Sequence, residues 1–224
     1  MRVFLASGNA KKIGEMQRIL AEHVPDLVVV GQGDVPAYDE PVEDEPDFAG
    51  NALLKARAGV AATGLPSVAD DSGLCVDALN GMPGVLSARW SGPPTLRDGS
   101  SLASSGTDRA SLRSSQDERN NELLLAQLDD VPDERRGAHF ACAVAWVMPD
   151  GRERVVEGRM DGRIIREVRG SGGFGYDVVF VAVEHDAEGL TSAELEAAEK
   201  DRISHRGRAL RALAPQVAAD LSGD

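Results

Sequence analysis

Arg2-Val3-Phe4-Leu5-Ala6-Ser7-Gly8-Asn9-Ala10-Lys11-Lys12, read together with the residues that follow to Gly31, decides the fold. Arg2 to Ala6 reads as a strand that runs into a Ser-Gly-Asn turn. Ile13, Met16, Leu20 and His23 then recur at helical spacing, and Leu27 to Gly31 forms a second strand. Strand, tight loop, helix, strand is the opening of an α/β protein. Farther along, Asp47 stands as an N-cap before an inward set of Phe48, Ala52, Leu53, Ala56 and Val60, closed by Gly64-Leu65-Pro66. Ser67 to Ala69 and Gly73 to Val76 read as strand pieces around Asp70-Asp71-Ser72. Leu124, Leu125 and Leu128 mark a helix that ends before Pro132. Ala138 to Val147 is almost wholly apolar, as the centre of a sheet requires. Arg152 to Glu157 can pair beside it across the Pro149-Asp150-Gly151 turn. Val178 to Val183 is a last strand, and Leu210, Leu213, Val217 and Leu221 line a C-terminal amphipathic helix.

The chain has 224 residues, enough for one sizeable core or two lobes sharing one. We expect residues 1–224 to form a single α/β domain on a mixed sheet. Thr95 to Gln116 is rich in Ser and Gly and lacks periodicity, so it is expected to be a flexible insertion. No apolar run approaches the ~20 residues of a membrane helix. The first apolar run meets Ser7-Gly8-Asn9 too early for a signal peptide. Cys75 and Cys142 are expected to be buried, reduced thiols, which points to the cytoplasm. A formal net charge of −13 disfavours nucleic-acid backbones as partners. A small anion in a cleft stays possible if local cations or a metal receive it.

Four segments carry candidate chemistry. Ser7 to Lys12 opens a helix, where unpaired N–H groups, the dipole and two lysines suit phosphate; a polar cap with solvated lysines explains the same residues. Asp70-Asp71-Ser72-Gly73 places two acids between apolar strands, where unpartnered carboxylates are costly. In an extended chain they point to opposite faces, so one can face a cleft and hold a hard cation while the other holds the loop. An Asx-type turn is the alternative. Gly170 to Gly175 matches G-x-G-x-x-G, but a strand follows it instead of a helix, which excludes a dinucleotide fingerprint. Beside Phe174 and Tyr176, those glycines suit close approach to a flat ring, or simply a sharp turn. Lys200 to Arg208 is the densest basic segment, with Ser204 as a possible N-cap; it fits phosphate binding or a solvated helix start. Walker A, G-x-S-x-G, H-E-x-x-H and zinc patterns are missing from the sequence.

Taken in order, Ser7 to Lys12, Asn51-Ala52 with Lys55-Ala56, Ala69 to Leu74, Pro83-Gly84 with Ser87-Ala88-Arg89, Gly172 to Asp177 and Ser204 to Gly207 resemble the inosine triphosphatase family. Its members are the dITP/XTP pyrophosphatases. The resemblance implies an elongated mixed sheet flanked by helices, two lobes with a nucleotide cleft between them, and a homodimer. It implies a magnesium-dependent hydrolase that splits ITP, dITP or XTP into monophosphate and pyrophosphate. Ser7, Gly8, Asn9, Ala10, Lys11 and Lys12 would hold the triphosphate, with Lys55 near it. Asp71 would be general base and metal ligand, with Ser72 beside it, and Glu43 of the acidic loop a second magnesium ligand. Phe174, Gly175, Tyr176 and Asp177 would enclose the purine. Lys200, His205 and Arg206 would complete the phosphate and base contacts.

Two departures stand out. Gly50 replaces the acid that usually precedes Asn51-Ala52 in the family, and Met160-Asp161-Gly162 replaces a Trp-Pro-Gly expected to form a turn. Rival readings are a pyrophosphatase for modified pyrimidine or methylated nucleotides, and a nucleotide sensor without catalysis. The retained Asp71, Lys12 and Lys200 argue against the sensor.

Overall fold

The expected α/β opening is present. In a computed structural model that describes residues 1–92 and 109–222, β1 (Arg2–Leu5) leads into α1 (Ala10–Ala21) and β2 (Val28–Val30). The side chains of residues 10, 11 and 109–113 are outside that description. Next come α2 (Phe48–Thr63) and β3 (Ser67–Val76), then α3 (Arg109–Gln127), β4 (Gly137–Val147) and β5 (Glu153–Ile164). The chain closes with β6 (Phe180–Ala182), α4 (Ala197–Ile203) and α5 (His205–Ser222). The strands hydrogen-bond in the order β2-β1-β3-β4-β5-β6. The sheet is mixed: β1 runs parallel to both β2 and β3, whereas β5 and β6 are antiparallel.

The chain divides into two compact units. The first comprises Met1–Ser72, Ala141–Arg159 and Ser204–Asp224. Its core follows from strand alternation. Cys142, Val144 and Trp146 of β4 point to one face, where they join Val3, Leu5, Met16, Leu20, Leu210 and Leu213 under α1 and α5. Ala143, Ala145 and Val147 point to the other face, against Ala52 and Ala56 of α2. Small residues on both sides let α2 lie close. A β-carbon on Gly59 would come within 2.8 Å of the Phe4 ring. The Asp47 carboxylate caps α2 by accepting from Gly50 N at 2.8 Å, and left-handed Gly64 ends the helix. Gly50 itself is explained locally, because a β-carbon there would come within 2.8 Å of the Glu45 side chain.

The second unit comprises Gly73–Phe140 and Met160–Ile203. Leu74, Leu124, Leu128, Phe140, Met160, Tyr176 and Phe180 are among its core residues, with Phe140 and Phe180 rings 4.7 Å apart. Arg136 is buried there and donates to the carbonyls of Leu128, Ile164 and Ile165.

Several sequence expectations change. Of the Ser-rich segment, residues 95–108 lie outside the described residues, but 109–116 belong to α3. No apolar period marks this part of the helix, where the buried residue at 116 and the next one along that face, at 120, are amides. Buried Gln116 and Asn120 both hold Ser91, through contacts of 2.8 and 2.9 Å. Val178 to Val183 shortens to a three-residue β6 that passes into a 3-10 turn. Met160-Asp161-Gly162 forms no turn. It lies within β5, and a β-carbon on Gly162 would come within 2.2 Å of Val181 O. Neither cysteine is in a disulfide; Cys142 is buried and Cys75 half-buried. Among the described residues no helix is long and apolar enough to cross a membrane.

Candidate active site

In the first unit the site is built on β3. Alternation sends the adjacent acids apart. The Asp70 carboxylate accepts from Lys12 Nζ at 2.9 and 2.8 Å and from Arg206 Nε at 3.0 Å. Lys12 lies in the first turn of α1, and Arg206 in the first turn of α5. Ser204 caps α5 by accepting from Gly207 N at 3.0 Å, so the helix start that carries His205 and Arg206 is fixed. Burial alone would raise the Asp70 pKa, but Lys12 and Arg206 outweigh it and hold the carboxyl well below the usual carboxylate range. Arg206 also reaches Ser72 Oγ at 3.4 Å. Ser7 Oγ accepts from Asn9 N at 3.2 Å, which shapes the loop entering α1. The N-terminal end of α1, Lys12 and Arg206 are thereby drawn to one carboxylate.

Asp71 faces a different set. Asn51 Nδ2 donates to it at 3.0 Å and Lys55 Nζ at 3.3 Å, and the same ammonium donates to Glu43 at 3.0 Å. Burial dominates and raises the Asp71 pKa against the opposing pull of Lys55 and Asn51; Glu43 adds to the rise. For Lys55 burial works the other way, and the Asp71 and Glu43 charges overcome it to raise its pKa. Two carboxylates that share one ammonium suit a hard cation that takes one or two protein oxygens and fills its shell with phosphate and water. Asp71 and Glu43 therefore fit magnesium. Among the described residues no three His, Cys, Asp or Glu side chains converge as a ready-made metal cage.

In the second unit the Phe174 to Asp177 loop is held as a frame. The Asp177 carboxylate accepts from Phe174 N at 2.8 Å and pairs with Lys200, whose ammonium lies 5.1 Å from the Phe174 ring centre. Gly173 makes room for this, since a β-carbon there would come within 2.2 Å of Asp177 Oδ2. Phe174 is 67% exposed, but Tyr176 is 4% exposed and donates its hydroxyl to Ser87 O at 2.9 Å. Tyr176 thus anchors the loop to the core. Its ring packs among Leu124 and Phe180 because burying the aromatic body is favourable once its hydroxyl has a partner.

The basic segment also divides. Lys200 on α4 serves Asp177 in the second unit, and Arg206 on α5 serves Asp70 in the first. Lys12, Lys55 and Arg206 contact the two aspartates, Arg206 also reaches Ser72, and half-buried His205 precedes Arg206 in the chain. Gly8 and Asn9 are exposed in the loop before α1, Ala10 opens that helix, and the Lys11 side chain is outside the described residues. Two participants received no role from sequence. Asp70 was only the neighbour of Asp71. Asn51, 1% exposed, joins Asp71 to the acidic loop by accepting from Glu45 N at 3.1 Å. A buried amide in the first turn of α2 was the available signal for Asn51.

A mixed-sheet α/β chain with a cation-flanked pair of aspartates and a glycine-framed aromatic loop is the class this geometry defines. The chain belongs to the Ham1 family, whose model matches residues 3–216. It is 51% identical to a dITP/XTP pyrophosphatase of Corynebacterium efficiens, over all of both chains. It is 55% identical to one of Nocardia farcinica, over 97% of this chain and 95% of the relative. A crystal structure of the nucleoside-triphosphatase / dITP/XTP pyrophosphatase of Mycobacterium abscessus is 50% identical, with a TM-score of 0.72 over 96% of this chain and 100% of that one. The Staphylococcus aureus Ham1 protein gives a TM-score of 0.77 at 33% identity, over 100% of this chain and 99% of that one.

Proposed function

We propose that this chain is a hydrolase that cleaves inosine- and xanthosine-type purine nucleoside triphosphates (ITP, dITP, XTP) to the monophosphate and pyrophosphate. The observation that carries the reading is the opposed pair on β3: Asp70 gathers Lys12 and Arg206, while Asp71 faces Asn51, Lys55 and Glu43. The names of the relatives, together with identities of 50% or more over nearly the whole chain, support it.

The chemistry follows from those contacts. Lys12, Arg206 and the N–H groups of Ser7 to Lys12 at the start of α1 receive the polyphosphate, with Ser72 beside them. Asp71, its pKa raised above an ordinary carboxylate, accepts a proton from water. The water oxygen bonds to phosphorus as the P–O bond between the α- and β-phosphoryl groups breaks, and pyrophosphate leaves. Lys55 and Lys12 stabilise the charge on the leaving oxygens. A magnesium ion held by Asp71 and Glu43 would neutralise phosphate oxygens and lower the pKa of bound water. Asn51 orients Asp71 toward this work.

Phe174, Gly175, Asp177 and Lys200 form the part of the chain assigned to the base, and His205 completes the contacts. A site that offers hydrogen-bond donors to a 6-oxo group rejects adenine, whose 6-amino group would set donor against donor. Discrimination of that kind reaches roughly four to five powers of ten. On the same reading the enzyme is a cytoplasmic homodimer that cleanses the nucleotide pool and does not bind nucleic acid.

The test is a steady-state comparison of ITP, XTP, dITP, GTP and ATP with magnesium, with products identified by phosphorus NMR. Preference for the inosine and xanthosine substrates with release of pyrophosphate is expected. Stepwise orthophosphate release, or equal turnover of ATP, would overturn the reading.

A further inference from the structure

We propose that Asp117 and Asn121 of α3 are positioning residues that set the direction of Phe174, and through it the discrimination among purine bases. The proposal rests on the assignment of the Phe174 to Asp177 loop to the base.

Asp117 and Asn121 stand one turn apart on the same face of α3. They hold the two polar groups of a single residue. Gly175 N donates to Asp117 Oδ2 at 2.8 Å, and Asn121 Nδ2 donates to Gly175 O at 2.9 Å. Gly175 has a φ of 61°, in the left-handed region, and a β-carbon there would meet nothing within 4 Å. What the helix fixes is therefore a backbone conformation and not a tight crevice. Asn121 is 3% exposed and also donates to Asp117 O at 2.8 Å, which leaves its own Oδ1 buried without a partner. A buried acceptor left unsatisfied is costly, so packing alone gives no reason to keep an amide there.

The hold on Gly175 sorts the aromatics on either side of it. Phe174 is turned outward and Tyr176 inward. The Tyr176 hydroxyl and Asn120 Nδ2 both donate to Ser87 O, at 2.9 and 3.2 Å, which joins the loop and α3 at a further point. Asp177 holds Phe174 N from the other side at 2.8 Å. The direction of the Phe174 ring is thus set largely by hydrogen bonds that its side chain does not make. A flat contact is sensitive to small changes of that direction.

The experiment compares the full-length wild type with Asp117→Ala and Asp117→Asn. It measures kcat and KM for ITP, XTP and GTP, and the inhibition constant of inorganic tripolyphosphate, a probe with no base. Asp117→Ala is expected to raise KM for ITP about tenfold, the fold-change of one hydrogen bond to a charged group. Its kcat and the tripolyphosphate constant should hold, and the ITP-to-GTP ratio of kcat/KM should fall. Asp117→Asn keeps an acceptor for Gly175 N and should recover most of the loss. An unchanged KM and ratio in Asp117→Ala overturns the proposal. So does an equal weakening of tripolyphosphate, which would mean general damage. A wild type that prefers GTP to ITP defeats the function reading itself, before either variant is compared.

Discussion

Asp70→Asn and Asp71→Asn change neighbouring residues of one strand by the same few atoms, yet the structure demands opposite outcomes. The Asp70 side chain is 5% exposed and answers two cations, Lys12 at 25% and Arg206 at 14% exposure. Removing its charge leaves those cations facing a neutral group. Breaking a buried pair costs about 3–5 kcal/mol, and about 3 kcal/mol is expected because asparagine keeps one acceptor oxygen. For a chain of this size that is a fall in Tm of about 6–12 °C at pH 7. Because the native pKa of Asp70 is depressed, its contribution is full above the unfolded carboxylate value near ~4. It is lost as pH falls through the native value, so the gap between wild type and variant closes in acid. Asp71 has a raised pKa, so its charge at neutral pH is a burden that asparagine removes, and Glu43 still pairs Lys55. Its Tm should move by no more than ~2 °C, while turnover falls by about two to four powers of ten with the loss of the general base. The assays are thermal unfolding at pH 7 and in a series from pH 4 down to pH 2, and ITP turnover at 25 °C. Near-normal turnover in Asp71→Asn would remove Asp71 from its role. An unchanged Tm in Asp70→Asn would mean that the Lys12 and Arg206 cluster does not form as described.

Three more outcomes can be checked. Asn51→Ala removes the donor to Asp71 and the acceptor for Glu45 N, and should cost about 1–3 kcal/mol by urea unfolding together with a drop in kcat. Arg136→Ala leaves three buried carbonyls without their guanidinium and should cost about 3 kcal/mol or more, while the KM of any remaining folded enzyme for ITP stays near normal. Asp220, buried at the end of α5, accepts from Trp146, Arg152 and Arg154, and the Arg154 bonds outweigh burial to lower its pKa. Stability linked to Asp220 is therefore present above pH ~4 and lost below it, so Asp220→Asn should flatten the acid limb of a Tm-against-pH profile.

What was legible in the sequence was local. The strand-loop-helix opening, the Asp47 cap and the acid pair between two strand pieces, which the structure joins into the one strand β3, each depend on neighbours within a few residues, where periodicity and capping chemistry operate. Even the opposed directions of Asp70 and Asp71 follow from the two-residue repeat of an extended chain. Partners separated by scores of residues were not legible. That Lys12 and Arg206 choose Asp70 while Lys55 and Asn51 choose Asp71 depends on which helix packs on which face of β3. Tyr176 looked equivalent to Phe174 because a glycine loop has no period to tell inside from outside. The Ser87 carbonyl and the clamp from α3 separate them in the folded chain. Helix α3 carries no apolar period at Gln116 and Asn120, buried amides whose partners at Ser91 and Ser87 exist only after folding. Short-range backbone preference is written into composition and spacing. The choice of distant hydrogen-bond and charge partners arises only when packing removes water and forces each buried polar group to find one.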